Sequence, residues 1–197
     1  MQSIIRAVDI FVAIGLGMGL APVAGVRAFL PLAMLYWLTL LEGPFLPIPV
    51  PYGVVVGMLL LLAVLETVLD KILDIDHAFN IVMVPVRAVS GALLFAGMVG
   101  LTVDLQSSSL AAEASRTAPW LVAGAVVAGV VAVLKIRLRP TARTPSTGVS
   151  VLYLSACEDV VALVGSVLAF IVPFLGILLV AFLPLLYRLR EPVYQPE

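Results

Sequence analysis

The residues with the clearest capacity for chemistry are a few ionisable side chains within an otherwise apolar chain. The segment ETVLDKILDIDH, from Glu66 to His77, follows a long apolar run. Glu66, Asp70 and Asp74 are spaced four apart and His77 follows three later, so in a helix they form one stripe. Inside a membrane each ionisable group costs about 2.5–3.5 kcal/mol to insert and usually marks an ion path, a relay or a charge partner. The stripe therefore predicts an ion path, a proton relay or a charge partner for another helix, and its later part, from Asp70 to His77, is alternatively a solvated turn at the membrane interface.

Three further charges lie in apolar surroundings on other segments. Arg27 lies in PVAGVRAFLP, Arg87 in VPVRAVSG and Glu158 in LSACEDVVAL. Proline and glycine flank both arginines, which predicts broken helices near them. Backbone groups freed by such breaks are tolerated at membrane depth only when they are buried in protein or line a cavity.

The composition of the chain indicates which elements must position these charges. Of its 197 residues, 62% are hydrophobic and 12% are charged, and its mean hydropathy is +1.19. These values exceed those of ordinary soluble domains. We therefore expect an all-α fold, a polytopic membrane helix bundle.

Seven apolar segments approach the roughly 20 residues that a bilayer core of about 30 Å requires. They cover residues 4–20, 22–41, 52–73, 79–103, 119–134, 149–172 and 173–189. Little more than a proline separates the first two and the last two, so either pair can be a re-entrant or broken helix, and six spans stay open beside seven. The order also suits a 3+3 inverted repeat plus one helix. We expect residues 1–190 to form one transmembrane domain and residues 191–197 a short polar tail.

The basic residues predict the orientation in the membrane. With seven spans, the cluster from Lys135 to Arg143 lies on the same side as Arg188 and Arg190. By the positive-inside rule this side is cytoplasmic, so the N-terminus is outside and the C-terminus is in the cytoplasm.

The alternation of the segments brings the intramembrane charges to one level. At 1.5 Å of rise per residue, all four lie roughly 8–14 Å below the cytoplasmic face: Arg27, Glu66, Arg87 and Glu158. Two acids and two bases on four helices predict one polar cluster in the bundle interior. Alternatively, they form Arg27–Glu66 and Arg87–Glu158 pairs that only fix the register of the helices.

The remaining ionisable residues of the first stripe lie between this cluster and the cytoplasm. We expect an acidic vestibule formed by Asp70, Asp74, Asp76 and His77, with Asp70 also close enough to Glu66 to share a bound ion.

Five short motifs together resemble a known family. They are GVRAFLP, LETVLDKI, the D-x-D-H turn, R-A-x-x-G-A-L and LSACEDVVAL, and they occur between about residue 15 and residue 186. The set resembles the domain-of-unknown-function 4126 group of bacterial multi-pass proteins. The resemblance implies a small protein of the bacterial cytoplasmic (inner) membrane, and it brings no activity with it. It also implies matching acidic and basic positions at Glu66, Asp70, Glu158, Arg27 and Arg87.

The charges leave three classes of function open. The leading hypothesis is a transporter or channel for a small cation, either a proton or a divalent metal, with Glu66, Asp70 and Glu158 as ion or metal ligands. A second is an anion or lipid-phosphate carrier or flippase that uses Arg27 and Arg87. A third is a non-catalytic assembly subunit of a larger membrane complex, marked by a fully paired interior. Surplus acid in the cluster would favour a cation, and surplus arginine an anion.

Other classes are disfavoured. The chain has no His-Glu-x-x-His or Gly-x-Ser-x-Gly motif and only one histidine, so we expect no enzyme and no cofactor. It has no large basic surface for nucleic acid. The expected partners are the lipid bilayer and a small ion or anionic solute, and the chain is compatible with a homo-oligomer.

Overall fold

The computed structural model describes residues 2–38, 51–102, 110–138, 147–178 and 180–181. Within these ranges the chain is helical and has no strand, which confirms the predicted all-α class. The helices are α1 (Gln2–Val26), α2 (Phe29–Leu38), α3 (Tyr52–Leu69), α4 (Leu73–Thr102), α5 (Leu110–Leu138) and α6 (Thr147–Ile171). A shorter helical segment follows at residues 175–178.

Four of the described helices are long and apolar enough to cross a membrane. Their apolar spans are Val8–Val26, Tyr52–Leu69, Ala78–Gly100 and Ser115–Arg137. They correspond to the first, third, fourth and fifth predicted segments. Of the seventh predicted segment, residues 179 and 182–189 lie outside the described ranges, as does the tail at 191–197.

The boundary between the first two predicted segments was expected near Pro22 and lies instead at residues 27–28. α1 continues through Pro22, and the chain turns at Arg27 and Ala28 before α2 begins. The expected break at Pro22 is therefore wrong. Pro22 removes a single backbone N–H, a loss that a helix inside a bundle tolerates, whereas at Arg27 and Ala28 side chains from other helices replace the missing backbone bonds.

α4 is also more regular than predicted. It runs for 30 residues with Pro85 inside it, so the expected break near Arg87 is wrong. The D-x-D-H sequence belongs to the first turns of α4, and the reversal between α3 and α4 occurs earlier, at residues 70–72.

α2 runs antiparallel to α3. At the start of α2 the backbone N–H of Ala28 donates to the carboxylate of Glu66, near the end of α3. Towards the end of α2, the hydroxyl of Tyr52 donates to the backbone carbonyl of Tyr36, and the centroids of these two rings are 5.4 Å apart. With 10 residues, α2 is about 15 Å long, too short to cross a bilayer by itself.

α1 runs antiparallel to α4, which covers one side of it. The ring of Phe95 lies against Gly17, in the second half of α1. One turn earlier on α4, the hydroxyl of Ser90 donates to the Ala28 carbonyl, just beyond the end of α1, at 2.5 Å. Because α4 lies against both the middle and the end of α1, it holds the turn at Ala28 in place.

α4 also runs antiparallel to α3, and this fixes the geometry of the break. Asn80 contacts Asp70, and Arg87, seven residues later, contacts Glu66, four residues earlier. α1 and α3 therefore point the same way. Since α2 is antiparallel to α3, the chain reverses at residues 27–28. The first two predicted segments form a hairpin whose turn is buried in the bundle.

α4 and α5 approach closely at two glycines. A Cβ at Gly124 would lie 2.7 Å from the Cβ of Phe95 and closer still to the carbonyl oxygen of Gly91. Beside this crossing the rings of Phe95 and Trp120 stack with centroids 5.8 Å apart. Small residues let helix backbones come together in membrane bundles, and here they bring the charged part of α4 close to that of α5.

Candidate functional site: a buried charge network at the helix break

At the turn between α1 and α2, Arg27 meets charged side chains from the C-terminal end of α3 and from α4, α5 and α6. Six of these side chains belong to residues that are at most 3% exposed. They are Arg27, Glu66, Asp70, Arg87, Lys135 and Glu158. Charges buried in an apolar bundle destabilise it unless each has a partner, so the partners define the site.

Glu66 lies at the N-terminus of α2. Its carboxylate oxygens accept the backbone N–H of Ala28 at 3.0 and 3.2 Å and that of Phe29 at 3.3 Å. The first N–H groups of any helix lack an intrahelical partner and carry a partial positive charge. A carboxylate from α3 thus takes the place of the usual capping side chain. Pro31, in the same turn, has no N–H that would need a partner.

Glu66 also pairs with Arg87 of α4. The Nη2 and Nε atoms of Arg87 lie 3.3 and 3.4 Å from Glu66 Oε1. The third guanidinium nitrogen, Nη1, donates to Asn80 Oδ1 at 2.9 Å. Glu66 is therefore held by two backbone and two guanidinium donors, and it is a well-fixed member of the network.

Lys135 lies at the other end of the break, beside the C-terminus of α1. Its Nζ atom is 3.2 Å from the carbonyl oxygen of Val26, the last residue of α1. It is 2.7 Å from Glu158 Oε2 and 3.7 Å from Asp70 Oδ1. A helix C-terminus carries a partial negative charge, so this ammonium faces three negative groups.

Asp70 connects the two ends of the network. Its Oδ2 atom is 2.9 Å from Arg27 Nη2 and accepts the hydroxyl of Ser155 at 2.9 Å. Its Oδ1 atom accepts Asn80 Nδ2 at 2.9 Å and is the oxygen that faces Lys135. Asp70 is fully buried, so it lies in the centre of the network and not in a vestibule, and that part of the prediction is wrong. The reason is that Asp70 keeps helical backbone angles and its N–H donates to the Glu66 carbonyl, so it lies one turn after Glu66 on the same buried face.

The network reaches the protein surface through Asp159. Its Oδ1 atom is 2.6 Å from Arg27 Nη2, and its Oδ2 atom is 3.1 Å from Lys71 Nζ. The side chains of Asp159 and Lys71 are 25% and 36% exposed. This pair forms a partly solvated end of an otherwise buried network.

Acids and bases are equal in number across the described ion pairs. Four carboxylates, including the surface one, face four bases, so the charges cancel when all are ionised. The Nε atom of Arg27 is buried without a hydrogen-bond acceptor among the described residues. Arg27 thus has donor capacity left over, unlike Arg87, whose three nitrogens all donate.

The predicted cluster exists, but its pairs differ from those expected. Arg27, Glu66, Asp70, Arg87 and Glu158 lie in one network. Neither expected ion pair is seen among the described residues: Arg87 pairs with Glu66, Arg27 with two aspartates, and Glu158 with a lysine. Arg27 contacts Glu66 only through the backbone carbonyl of Glu66, at 3.5 Å. Glu66 faces the backbone of the turn, while the Arg27 side chain reaches Ser155 and the surface aspartate. The ion-binding roles of these residues stay predictions.

The vestibule and the metal site stay predictions as well. Asp74 and His77 lie in the first turns of α4, but their side chains are outside those that the structure describes. Among the described residues, no group of three carboxylate, histidine or cysteine side chains is arranged to hold a metal ion. A divalent site made from Glu66, Asp70 and Glu158 would require these carboxylates to leave their basic partners.

Lys135 was missed because we assigned it to the cytoplasmic basic cluster. A signal for its burial was present in the sequence. Lys135 follows Ala132 by three residues and Ala128 by seven, so on α5 the three share one face, and this face is buried. The same spacing argument applies to two other members of the network. Asn80 precedes Arg87 by seven residues on α4, and Ser155 precedes Glu158 by three on α6, so each shares a helix face with its charged neighbour.

The fold and the network define a class of protein: a helical bundle with membrane-spanning helices and a paired, buried charge network around the turn of a helical hairpin. The chain matches the family described as Domain of unknown function (DUF4126) over residues 14–191 and belongs to it. The match confirms the resemblance seen in the five motifs. No curated protein and no solved structure matches the chain.

Proposed function

We propose that this protein is a transporter for a small cation and that the cation passes through the buried charge network. The observation that supports this most is the break between α1 and α2. The two free helix ends face charges supplied by other helices, Glu66 at the N-terminus of α2 and Lys135 at the C-terminus of α1. Discontinuous helices whose ends point at an internal ion site are a recurring device of secondary transporters.

The C-terminal end of α1 is the better place for a cation. Carbonyl and carboxylate oxygens converge there, from Val26, Glu158 and Asp70. Oxygen ligands of this kind suit alkali and other hard cations. The N-terminal end of α2 is already filled by a carboxylate with four donors, which leaves it with a structural role.

Asp159 and Lys71 are the proposed entrance. They are the partly exposed end of the network, and Arg27 connects them to Asp70. By the positive-inside rule, the basic residues near this end, including exposed Arg137 on α5, favour the cytoplasmic side. We propose that the network opens towards the cytoplasm.

The anion alternative has less support. It depended on arginines in excess of acids, and both Arg27 and Arg87 face carboxylates. The equal numbers of acids and bases give no surplus acid for a cation either, so the cation proposal rests on the helix ends and not on the net charge. An anion would have to compete with those carboxylates inside the bundle, where like charges repel strongly.

A specific observation favours a second candidate, the assembly subunit. All six buried charges have partners, and such complete pairing is also what a purely structural network requires. In that case the network fixes the hairpin of α1 and α2 and transports nothing.

Flux measurement distinguishes the two candidates. We expect the purified protein in liposomes to move cations down an imposed gradient, read by pH- and cation-sensitive dyes inside the vesicles. Glu158→Gln and Asp70→Asn should abolish this flux, because each removes a charge from the proposed path.

The matched control is Asp9→Asn. It removes an exposed carboxylate from the N-terminal half of α1, whereas the network lies at the C-terminal end of this helix. It should transport like the wild type. Variants are compared only after size-exclusion chromatography shows a monodisperse, folded protein. Absence of flux from the wild type under every imposed cation gradient would reject transport and leave the assembly role.

A further inference from the structure

We infer that the ammonium group of Lys135 occupies a binding site for a small monovalent cation, as a tethered substitute for the free ion. Three oxygens surround Nζ: Glu158 Oε2 at 2.7 Å, the Val26 carbonyl at 3.2 Å and Asp70 Oδ1 at 3.7 Å. An ammonium has three donors and no acceptor. Two of these oxygens, on Glu158 and Val26, are within hydrogen-bond distance, and Asp70 Oδ1 contributes its charge from farther away.

The charge of the present occupant indicates the class of ligand. A single positive charge now balances the site, so an ion that replaces it without changing the net charge of the network is monovalent. A divalent ion such as calcium takes six to eight oxygens at 2.3–2.6 Å, and the described residues supply only three around Nζ. By charge the site therefore fits a monovalent cation better than calcium or magnesium. Among monovalent cations, three oxygens suit an ammonium with its N–H donors better than sodium or potassium, which also take more than three oxygen ligands.

The helix end makes this a site and not merely a salt bridge. Val26 is the last residue of α1, and the carbonyls of a last helical turn have no intrahelical donor. One carbonyl of this last turn, that of Val23, does have a donor, because the backbone N–H of Arg27, just beyond the helix, bonds to it at 3.0 Å. The Val26 carbonyl instead faces the ammonium, and helix C-terminal carbonyls coordinate the driving ion in several transporters.

Lysine is also the residue type that can act as a removable occupant. Its ammonium is a compact charge on a flexible four-carbon stem, whereas a guanidinium is a rigid fork that binds several partners at once. The stem of Lys135 comes from α5, while the oxygens come from α1, from the residue that follows α3 and from α6. Movement of α5 alone would withdraw the occupant and leave the ligands in place.

This inference rests on the proposed function, because it names the cation that the network would exchange, but it can be tested by binding alone. The variant Lys135→Ala removes the occupant and leaves Glu158, Asp70 and the Val26 carbonyl. Its thermal stability in detergent is then measured in sodium, potassium, ammonium, methylammonium and choline chlorides at equal ionic strength. Equal ionic strength keeps general charge screening constant.

We expect Lys135→Ala to melt earlier than the wild type and to recover with small cations. A ligand that binds only the folded state raises its stability in a saturable way, so Tm should rise by roughly 5 °C with methylammonium or ammonium relative to choline. Choline is too large for the volume of an ammonium. The wild type, whose site is filled, should show no such selectivity.

The matched control is the double variant Lys135→Ala/Glu158→Gln. It removes both members of the closest pair, so it lacks the negative charge that would attract a cation, and it should show no recovery. A Lys135→Ala protein without selective recovery, or a double variant that recovers equally, overturns the inference. If Lys135→Ala unfolds on purification, the recovery of monodisperse protein from membranes solubilised in methylammonium or in choline replaces Tm, and equal recovery overturns it.

The two proposals fail in different ways. Cation recovery of Lys135→Ala without any flux in the wild type would leave a monovalent-cation site in a protein that does not transport. Flux in the wild type with no recovery of the variant would leave a transporter whose ion binds away from Lys135.

Discussion

At the turn between α1 and α2, a charged side chain from another helix neutralises the partial charge of each helix end, but the two side chains are held by different numbers of close contacts. At the N-terminus of α2, Glu66 accepts hydrogen bonds from two backbone N–H groups and from two nitrogens of Arg87. At the C-terminus of α1, Lys135 makes one short ion pair and two longer contacts. The first end resembles a permanent helix cap, and the second resembles an occupied ion site.

The origin of the donors explains this difference. Two of the four donors to Glu66 are backbone N–H groups, of Ala28 in the turn and of Phe29 at the start of α2, and these cannot leave without unwinding the start of the helix. All partners of Lys135 lie on helices other than its own, and its stem is long. The comparison therefore assigns stability to the Glu66 end and exchange to the Lys135 end.

Removing the Glu66 carboxylate from the N-terminus of α2 should give the largest loss of stability. Glu66→Ala leaves Arg87, which is fully buried, without its carboxylate and also removes the cap of α2. Removing one partner of a buried pair costs about 3–5 kcal/mol, and loss of a cap adds about 0.5–2 kcal/mol. We expect Glu66→Ala to be the least stable single variant of the network, as measured by thermal unfolding in detergent.

The double variant Glu66→Ala/Arg87→Met separates the two parts of that loss. It removes both charges, so it should recover most of the cost of the unpaired guanidinium and retain only the cost of the missing cap. A double variant as unstable as Glu66→Ala would show that the cap, and not the ion pair, dominates this end.

A change beside Lys135 should have a smaller and more local effect. Gly25 lies in the last turn of α1, and a Cβ there would be 2.6 Å from the backbone oxygen of Ala128 and 2.6 Å from Val131 Cβ. Backbone cannot yield as a flexible side chain does, so Gly25→Ala should push the end of α1 away from α5. Overpacking of this kind costs about 1–3 kcal/mol, and thermal unfolding measures it.

The control for Gly25→Ala is Gly57→Ala on α3, where nothing lies within 4 Å of the added Cβ. This change should be neutral or slightly stabilising, because alanine favours helix. In double-mutant cycles, Gly25→Ala should couple to Lys135→Ala and not to Glu66→Gln. Equal coupling to both would remove the distinction between the two ends.

Much of the fold could be predicted from the sequence, because apolar length and composition determine whether a segment can be a membrane helix. The four spanning helices lie within or overlap the predicted segments. The position of the break could not be predicted, because local breakers were the only available signal. Pro22 is a strong breaker on its own, yet the helix ends only where the Glu66 carboxylate, 38 residues away from Ala28 in sequence, supplies the cap.

The charged cluster could be predicted and its pairing could not. Helical depth placed Arg27, Glu66, Arg87 and Glu158 together, since depth follows from counting residues. Pairing depends on the rotation of each helix about its axis, and that is determined by packing such as the close approach of Gly91 and Gly124. The role of Lys135 was missed for the same reason.

The smallest effect is expected at the exposed end of the network. Lys71→Met removes the surface partner of Asp159, but Arg27 still contacts that carboxylate at 2.6 Å, and solvent reaches both side chains. An exposed ion pair contributes about 0.2–1 kcal/mol, so the unfolding temperature should fall little and the difference should shrink as salt is added. If Lys71→Met destabilised the protein as much as Glu66→Ala, solvent would not screen this end, and Asp159 would be a buried part of the network and no entrance to it.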